Sequence, residues 1–312
     1  NKNDPIRKKH RTTVYNVPSK VIFDWKNNDD VCTVDKIPGI KFLGSGAHAS
    51  VYIVRRFHNG VWHNIKIKAI DNYKAGLAEF YLMEALSKFH KYFTPHVALP
   101  HAINWKCKEK FVFASEYFGN GHLGKLPLKN VYLCKAIIFQ ILYTLYTIQQ
   151  HIPTFRHHDL HLENVLIDNK KGSIDFTYEL PWGAYKCKKG NMPYIYDLGL
   201  GNIPGHKGRY TNPEYTSDLK QNWGIHPKSD KKYDHHFFLN AMLMRALPND
   251  AIAFIHRHLP PAYRGNTTSH VHNYRLRYNV KHGALSPIEK ILKDPYFHSL
   301  RVNRKGQCWF KS

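Results

Sequence analysis

Residues 39 to 70 carry a dense run of β-branched and aromatic side chains, broken by glycine: IKFLGSG, then SVYIVRRF, then VWHNIKIKAI. This composition marks strands, and Phe57-His58-Asn59-Gly60 reads as a hairpin turn between two of them. The next segment, AGLAEFYLMEALSKFHKY (75–92), places Leu77, Phe80, Met83 and Leu86 at helical spacing. FVFASEYF (111–118) reads as a strand and GNGHLG (119–124) as a glycine-rich break. A strongly apolar helix follows at 129–150, then loops, a helix-rich half and a basic tail. The expected class is α+β, with strands and one helix first and mainly helices later.

Charge narrows the partners. The 312 residues hold 46 Lys+Arg against 23 Asp+Glu, a formal net charge of +23. Such a surplus favours polyanions, which include nucleic acid, nucleoprotein and acidic protein substrates. Arg55, Arg56, Arg301, Arg304, Lys305 and Lys311 are candidates for that contact. The most apolar stretch, Ala136 to Ile148, is interrupted by Gln140, Thr144 and Thr147, so no transmembrane segment is expected. NKNDPIRKKHRTT has no apolar run of a secretory signal. The five cysteines (Cys32, Cys107, Cys134, Cys187, Cys308) are scattered without a C-x-x-C pair. No disulfide partner is expected, and an intracellular, reducing location (cytoplasm or nucleus) fits best.

Four motifs carry chemistry. Gly44-Ser45-Gly46-Ala47-His48-Ala49-Ser50-Val51 fits G-x-G-x-x-[G/A]-x-V between two strands, where glycine lets backbone N–H groups approach phosphates. A strand follows it rather than a helix, which favours a flap over a dinucleotide fingerprint. Lys66 and Lys68 share one face of the following strand. One of them is placed to hold the α- and β-phosphates; the K-x-I-D run favours Lys68, with Lys66 as the alternative. His157-His158-Asp159-Leu160-His161-Leu162-Glu163-Asn164 sets a carboxylate and an amide five residues apart, before the apolar Val165-Leu166-Ile167. Asp159 suits a hydroxyl proton and Asn164 a metal ion. Four histidines lie close by (His151, His157, His158, His161), but their dense spacing, with no thiol or H-E-x-x-H pattern beside them, disfavours zinc. Tyr196-Asp197-Leu198-Gly199 offers a carboxylate suited to Mg²⁺ between phosphates.

Taken in this order, the motifs resemble the protein kinase superfamily: Gly-rich loop, strand lysine, H-R-D-x-x-x-x-N loop and D-F-G. The resemblance runs from about Ile40 to Phe297. It implies a bilobal fold, with a β-rich N-lobe at 37–116 and a larger helical C-lobe at 117–312; before them, residues 1–36 read as a basic, Asn-rich extension with short strand-like pieces. It implies ATP and Mg²⁺ as cofactors and a serine/threonine-type protein substrate. Gly44, Gly46 and Val51 would cover the nucleotide. Glu116 and Phe118 would form the hinge that meets adenine, with Ser115 guarding the pocket. Lys68 would hold phosphates and pair with Glu79, or with Glu84. Asn164 and Asp197 would hold metal, Asp159 would take the proton, and His161 would stabilise the transferring phosphate. Tyr210-Thr211-Asn212-Pro213-Glu214 resembles Y-x-A-P-E, Asp234 the buried brace of the catalytic loop, and ILKDPYF (291–297) a terminal helix.

The departures are specific. Ala49 replaces a glycine, Leu198 the usual Phe, and His158 the usual Arg. No Ser, Thr or Tyr lies between Leu198 and Arg209, so activation-loop phosphorylation is not expected to be needed. In the Lys68 register, Lys66 takes the small-residue position beneath adenine. His161 replaces the catalytic-loop Lys, and H-x-D-L-H-x-x-N-V-L resembles haspin-type atypical kinases and aminoglycoside phosphotransferases. The long gap from Asn164 to Asp197 predicts an insertion at about 170–191 between two C-lobe strands. Lys-, Asn- and Tyr-rich composition points to an AT-rich genome such as that of a large DNA virus, where virion association would follow. A small-molecule phosphotransferase and a nucleic-acid-binding pseudokinase remain alternative readings.

Overall fold

The computed structural model describes residues 19–23, 32–46, 48–104, 107, 110–169, 175–188, 190–204, 210–211, 219–220, 223–226, 228–264 and 283–302. The chain divides into two compact units, residues 1–118 with 197–214 and residues 119–196 with 215–312. The class is α+β, with a β-rich N-terminal region and helices later.

The first unit is built on an antiparallel sheet of β1 (Lys41–Ser45), β2 (Ala49–His58), β3 (Val61–Ile70), β4 (Pro100–Asn104) and β5 (Phe111–Glu116), ordered β1-β2-β3-β5-β4. The β2–β3 turn falls at Asn59-Gly60, with φ of 50° and 75°. Two positive φ values suit the strand twist of a tight hairpin, and Asn-Gly accepts them at little cost. Alternation along β3 sends Ile65, Ile67 and Ala69 to one face and Lys66, Lys68 and Ile70 to the other.

The Ile65 face is covered by the segment that precedes the sheet. A short helix, α1 (Ser19–Phe23), and a 3-10 turn at Val34–Lys36 bring Ile22, Phe23, Val34 and Ile37 into one core with Ile65, Ile67, Ala69, Val112 and Ala114. The described part of the N-terminal extension is therefore helical, where the sequence suggested strand-like pieces. Short apolar runs do not distinguish the two by periodicity.

The Lys68 face is covered by α2 (Tyr73–Tyr92), capped by Asn72, whose side chain accepts from the Ala75 N–H at 3.0 Å. Phe80 of α2 packs against Phe111 and Phe113 of β5, with ring centroids 6.1 and 5.8 Å apart. The helix comes close because residue 76 is glycine: a Cβ there would lie 2.5 Å from the Phe111 Cβ. Alanine normally favours a helix over glycine by up to ~1 kcal/mol. Here the clash meets an atom fixed to the sheet backbone. Gly76→Ala should therefore lower stability by roughly 1–3 kcal/mol, the usual cost of overpacking, read as a reduced urea midpoint at unchanged slope.

The second unit is organised around α3 (Val131–His151), whose residues from Ala136 to Ile148 are all buried. Asn130 caps it by accepting from the Leu133 N–H at 2.9 Å. At 21 residues it is long and apolar enough to cross a membrane by length and composition, longer than the stretch read from the sequence. In the fold, 78% of its most apolar window is buried inside protein. Its cover includes α4 (Tyr233–Leu243), α5 (Asn249–His258), α6 (Ile288–Leu292) and a 3-10 segment at Pro295–Leu300.

The expected insertion near 170–191 has structure of its own. β6 (Val165–Asp168) pairs with β9 (Met192–Ile195), and between them the chain makes a hairpin of β7 (Phe176–Leu180) and β8 (Gly183–Cys187). β10 (Arg301–Val302) adds a third strand to that hairpin. Tyr178 and Tyr185 are buried in the hairpin, and Phe139 of α3 stacks on Tyr185 with centroids 4.8 Å apart. The hairpin is thus part of the unit's core, not an appended loop.

Candidate active site

In the first unit, three separated motifs meet at Lys68. Its Nζ donates to both carboxylate oxygens of Glu79, at 2.8 and 2.9 Å, and to Asp197 Oδ1 at 3.0 Å. Of the two lysines read from the sequence, Lys68 makes the ion pair. Of the two glutamates it takes Glu79, while Glu84 is exposed. Lys68 and Glu79 are buried and Asp197 is partly open. Burial pushes the Glu79 carboxyl up to about 7 against the opposing pull of the Lys68 ammonium. Asp197 stands at φ 58°, a left-handed conformation that costs a non-glycine residue energy. Its bond to Lys68 and a 3.4 Å contact from the Gly199 N–H hold it there.

Lys66 lies on the same face, opposite Ser115 of β5 and Ile53 of β2. It is 8% exposed. Burial, reinforced by the Lys68 ammonium, lowers its pKa to about 7. An ordinary lysine titrates near ~10.4. Between those values the unfolded chain holds a proton that the folded chain lacks, so stability rises with pH across that window. Urea midpoints of the wild type should increase from about pH 7 toward pH 10. Lys66→Met should flatten that rise; an unchanged slope would show that Lys66 stays charged.

The glycine loop joins β1 to β2, and the Gly46 N–H donates to the Ala49 carbonyl at 2.8 Å. Neither Gly44 nor Gly46 has a left-handed φ, and a Cβ on either would meet nothing within 4 Å. The protein's own packing does not require glycine there. Space is left for something to approach the backbone, as a triphosphate does. Val51 sits on the Lys68 face, directly opposite Lys68.

Glu116 ends β5. Its N–H donates to the Leu99 carbonyl at 3.0 Å, and its carboxylate accepts from the Leu99 N–H at 2.9 Å. These bonds fix the end of β5, with the Glu116 N–H engaged by Leu99. Phe118 is buried.

In the second unit, the loop from Arg156 to Asn164 is held from beneath by Asp234, the second residue of α4. The carboxylate of this buried residue accepts from the backbone N–H of His157 and of His158, each at 2.9 Å. That grip supports His158 at φ 63°. The His158 ring is buried, with Nε2 2.6 Å from Ser229 Oγ. His157 Nδ1 accepts from the Asp159 N–H at 3.2 Å, so Nε2 carries the proton and donates to the Tyr196 carbonyl at 2.9 Å. Asp159 is thereby fixed through its backbone while its carboxylate stays partly open. Asn164 Nδ2 donates to the Asp159 carbonyl at 2.8 Å and to Asp159 Oδ2 at 3.2 Å. That leaves Asn164 Oδ1 as the atom suited to a hard cation, which prefers oxygen. His161 Nδ1 accepts from the Glu163 N–H, which turns Nε2 to within 3.6 Å of Asp159 Oδ2.

Two supports escaped the sequence reading. Arg156, buried, donates to the carbonyls of Asp230 and Pro153 and ties down the start of the loop. Ser229 engages His158. An arginine immediately before His157-His158-Asp159 was the available signal for the first; nothing in the sequence marked the second. The resemblance at Asn212-Pro213-Glu214 lies outside the described residues, as do Arg304, Lys305 and Lys311.

The β-rich region followed by helices is compatible with a kinase-like fold, and the chain is similar to a kinase in sequence. A protein of Acanthamoeba polyphaga mimivirus named "Putative serine/threonine-protein kinase" is 27% identical over 218 residues, covering 63% of this chain and 46% of that relative. The chain therefore matches less than half of the relative's length. No family model matches.

Proposed function

We propose that the protein is a bilobal, ATP- and Mg²⁺-dependent protein kinase of serine/threonine type. The observation that carries the reading is Lys68 bonded at once to Glu79 and Asp197, three residues from three separate motifs of the kinase resemblance. A lysine so held presents a fixed cation to the α- and β-phosphates. The open face over Gly44 and Gly46 supports a nucleotide beneath the loop. Asp197 in the first unit and Asn164 in the second each offer an oxygen of the kind Mg²⁺ prefers, and the ion when bound would neutralise charge on the phosphates.

The protein's own part is positioning. Asp159 accepts the proton of the substrate hydroxyl, and the Asn164 amide keeps its carboxylate aimed. His161 stands beside that carboxylate and lends positive charge to the transferring phosphoryl group when protonated. His158 takes the place of the arginine that answers a phosphorylated loop. Its ring is engaged with Ser229, which supports a kinase that works without such a phosphate. The haspin-like loop and the viral likeness support a divergent member of the superfamily. An acidic protein or nucleoprotein is the substrate class that the net charge favours.

The test is transfer of radiolabel from γ-labelled ATP with Mg²⁺ to casein, histone and the protein itself. Asp159→Asn should reduce incorporation by roughly 10²–10⁴-fold, the usual contribution of a positioned acid or base. Lys68→Met should abolish it to a similar degree. Label appearing only on aminoglycoside or choline-like acceptors would make the protein a small-molecule phosphotransferase. No turnover by the wild type, or full activity in either variant, would overturn the assignment.

A further inference from the structure

The three strands β1 to β3, with their turns, run from residue 41 to 70 without a single Asp or Glu, while holding Lys41, Arg55, Arg56, Lys66 and Lys68. Lys66 and Lys68 belong to the buried end of one sheet face. At the other end of that face the side chains open to solvent. The register pairs Arg55 with Asn64 and Phe57 with Trp62, so all four share a side with Lys66. Phe57 is 55% exposed and Trp62 56%. Their rings lie 5.3 Å apart, and the Arg55 guanidinium sits 4.8 Å from the centre of the Trp62 ring. Lys41, exposed and paired with Ile53, adds a cation on the same face. The opposite side of the hairpin is engaged differently: Arg56 donates to the Ile22 carbonyl of α1.

Isolated exposed aromatics are ordinary on a protein surface. An adjoining pair with a guanidinium over one ring, in a segment free of carboxylates, is a different object. No ion pair engages Arg55 among the described residues. The rings offer flat π-faces, and the cations offer charge for phosphates. A duplex keeps its bases stacked inside and presents no face to such rings; an acidic peptide has no planar group to lay on them. Unstacked bases on a phosphate backbone satisfy both halves of the surface.

We propose that the Arg55–Phe57–Trp62 face of the β2–β3 hairpin binds single-stranded nucleic acid, with bases stacked on Phe57 and Trp62 and the backbone held by Arg55 and Lys41. The turn at Asn59-Gly60 makes the platform a preformed one. The site does not depend on the kinase reading, because it needs neither nucleotide nor metal.

The test is fluorescence anisotropy with labelled twelve-nucleotide oligo-dT and oligo-U, titrated with the full chain at two salt concentrations and without ATP. Phe57→Ala with Trp62→Ala should weaken binding about 10-fold or more, since one stacked base is worth ~1–3 kcal/mol. Trp62→Phe should retain most of the affinity, Arg55→Ala should weaken it and flatten its salt dependence, and Lys110→Ala, an exposed lysine elsewhere in the same unit, should stay within about twofold. Thermal melts of each variant check that the fold is intact. Equal losses in Lys110→Ala and Arg55→Ala, with no loss in the double aromatic variant, would reduce the binding to general charge and overturn the proposal. Tighter binding of a twelve-base-pair duplex, or binding of polyglutamate in place of either oligonucleotide, would overturn it in favour of those partners. Because the assay omits ATP, its failure leaves the phosphoryl-transfer test unaffected.

Discussion

A buried ammonium is among the most expensive groups a fold can carry, and Lys68 is tolerated because two carboxylates meet it. Taking a lysine out of water costs several kcal/mol before pairing, and only good geometry repays it. Glu79 and Asp197 provide that geometry at 2.8, 2.9 and 3.0 Å. The demand propagates outward. Glu79 must reach the sheet, so α2 must lie close to β5, and Gly76 against Phe111 permits that approach. Asp197 must adopt a left-handed backbone, and the same bond to Lys68 holds it there. Removing any one partner leaves buried charge uncompensated, so sheet, helix and the 197–199 turn are coupled through a single nitrogen.

The second unit solves a similar problem with backbone rather than side-chain donors. Asp234 is fully buried, and its charge is answered by the His157 and His158 N–H groups. Those two bonds fix a loop whose residues would otherwise relax away from a positive φ. Arg156 on one side and Ser229 on the other complete the frame. The result is that Asp159 and Asn164 are held against each other on a loop with little freedom. Such preorganisation is what phosphoryl-transfer chemistry asks of a protein.

Much of this could be read from residues alone, and the parts that could not have physical reasons. The hairpin at Asn59-Gly60 and α2 followed from turn residues and periodicity, and the resemblance narrowed the partner of Lys68 to Glu79 or Glu84. Asp234 was singled out through the resemblance, and its burial beneath His157 and His158 gives the physical reason for an aspartate there. The segment before the sheet misled because Val21-Ile22-Phe23 is an apolar run too short for its period to be read. Only tertiary packing on Ile65 and Ile67 makes α1 a helix. The hairpin at 176–187 was visible as extra length but not as core, since Tyr178 and Tyr185 look like surface residues until Phe139 lies against them. The bond from the Glu116 N–H to Leu99 was not legible either, because it depends on how the chain at Leu99 packs beside β5.

Lys66 is the position where local rules conflict most. A second lysine beside Lys68 adds repulsion and a second desolvation penalty, and a pKa lowered to about 7 expresses both. Selection for stability alone would place an apolar residue between Ile53 and Ser115, as packing on that row allows. Glu79 and Asp197 offset part of that cost, and a further anion on the Lys68 face would offset more of it. The same logic extends along the sheet. The face carries cations from Lys41 to Lys68 and no carboxylate of its own on β1 to β3, so the carboxylates that meet it at the buried end come from α2 and Asp197.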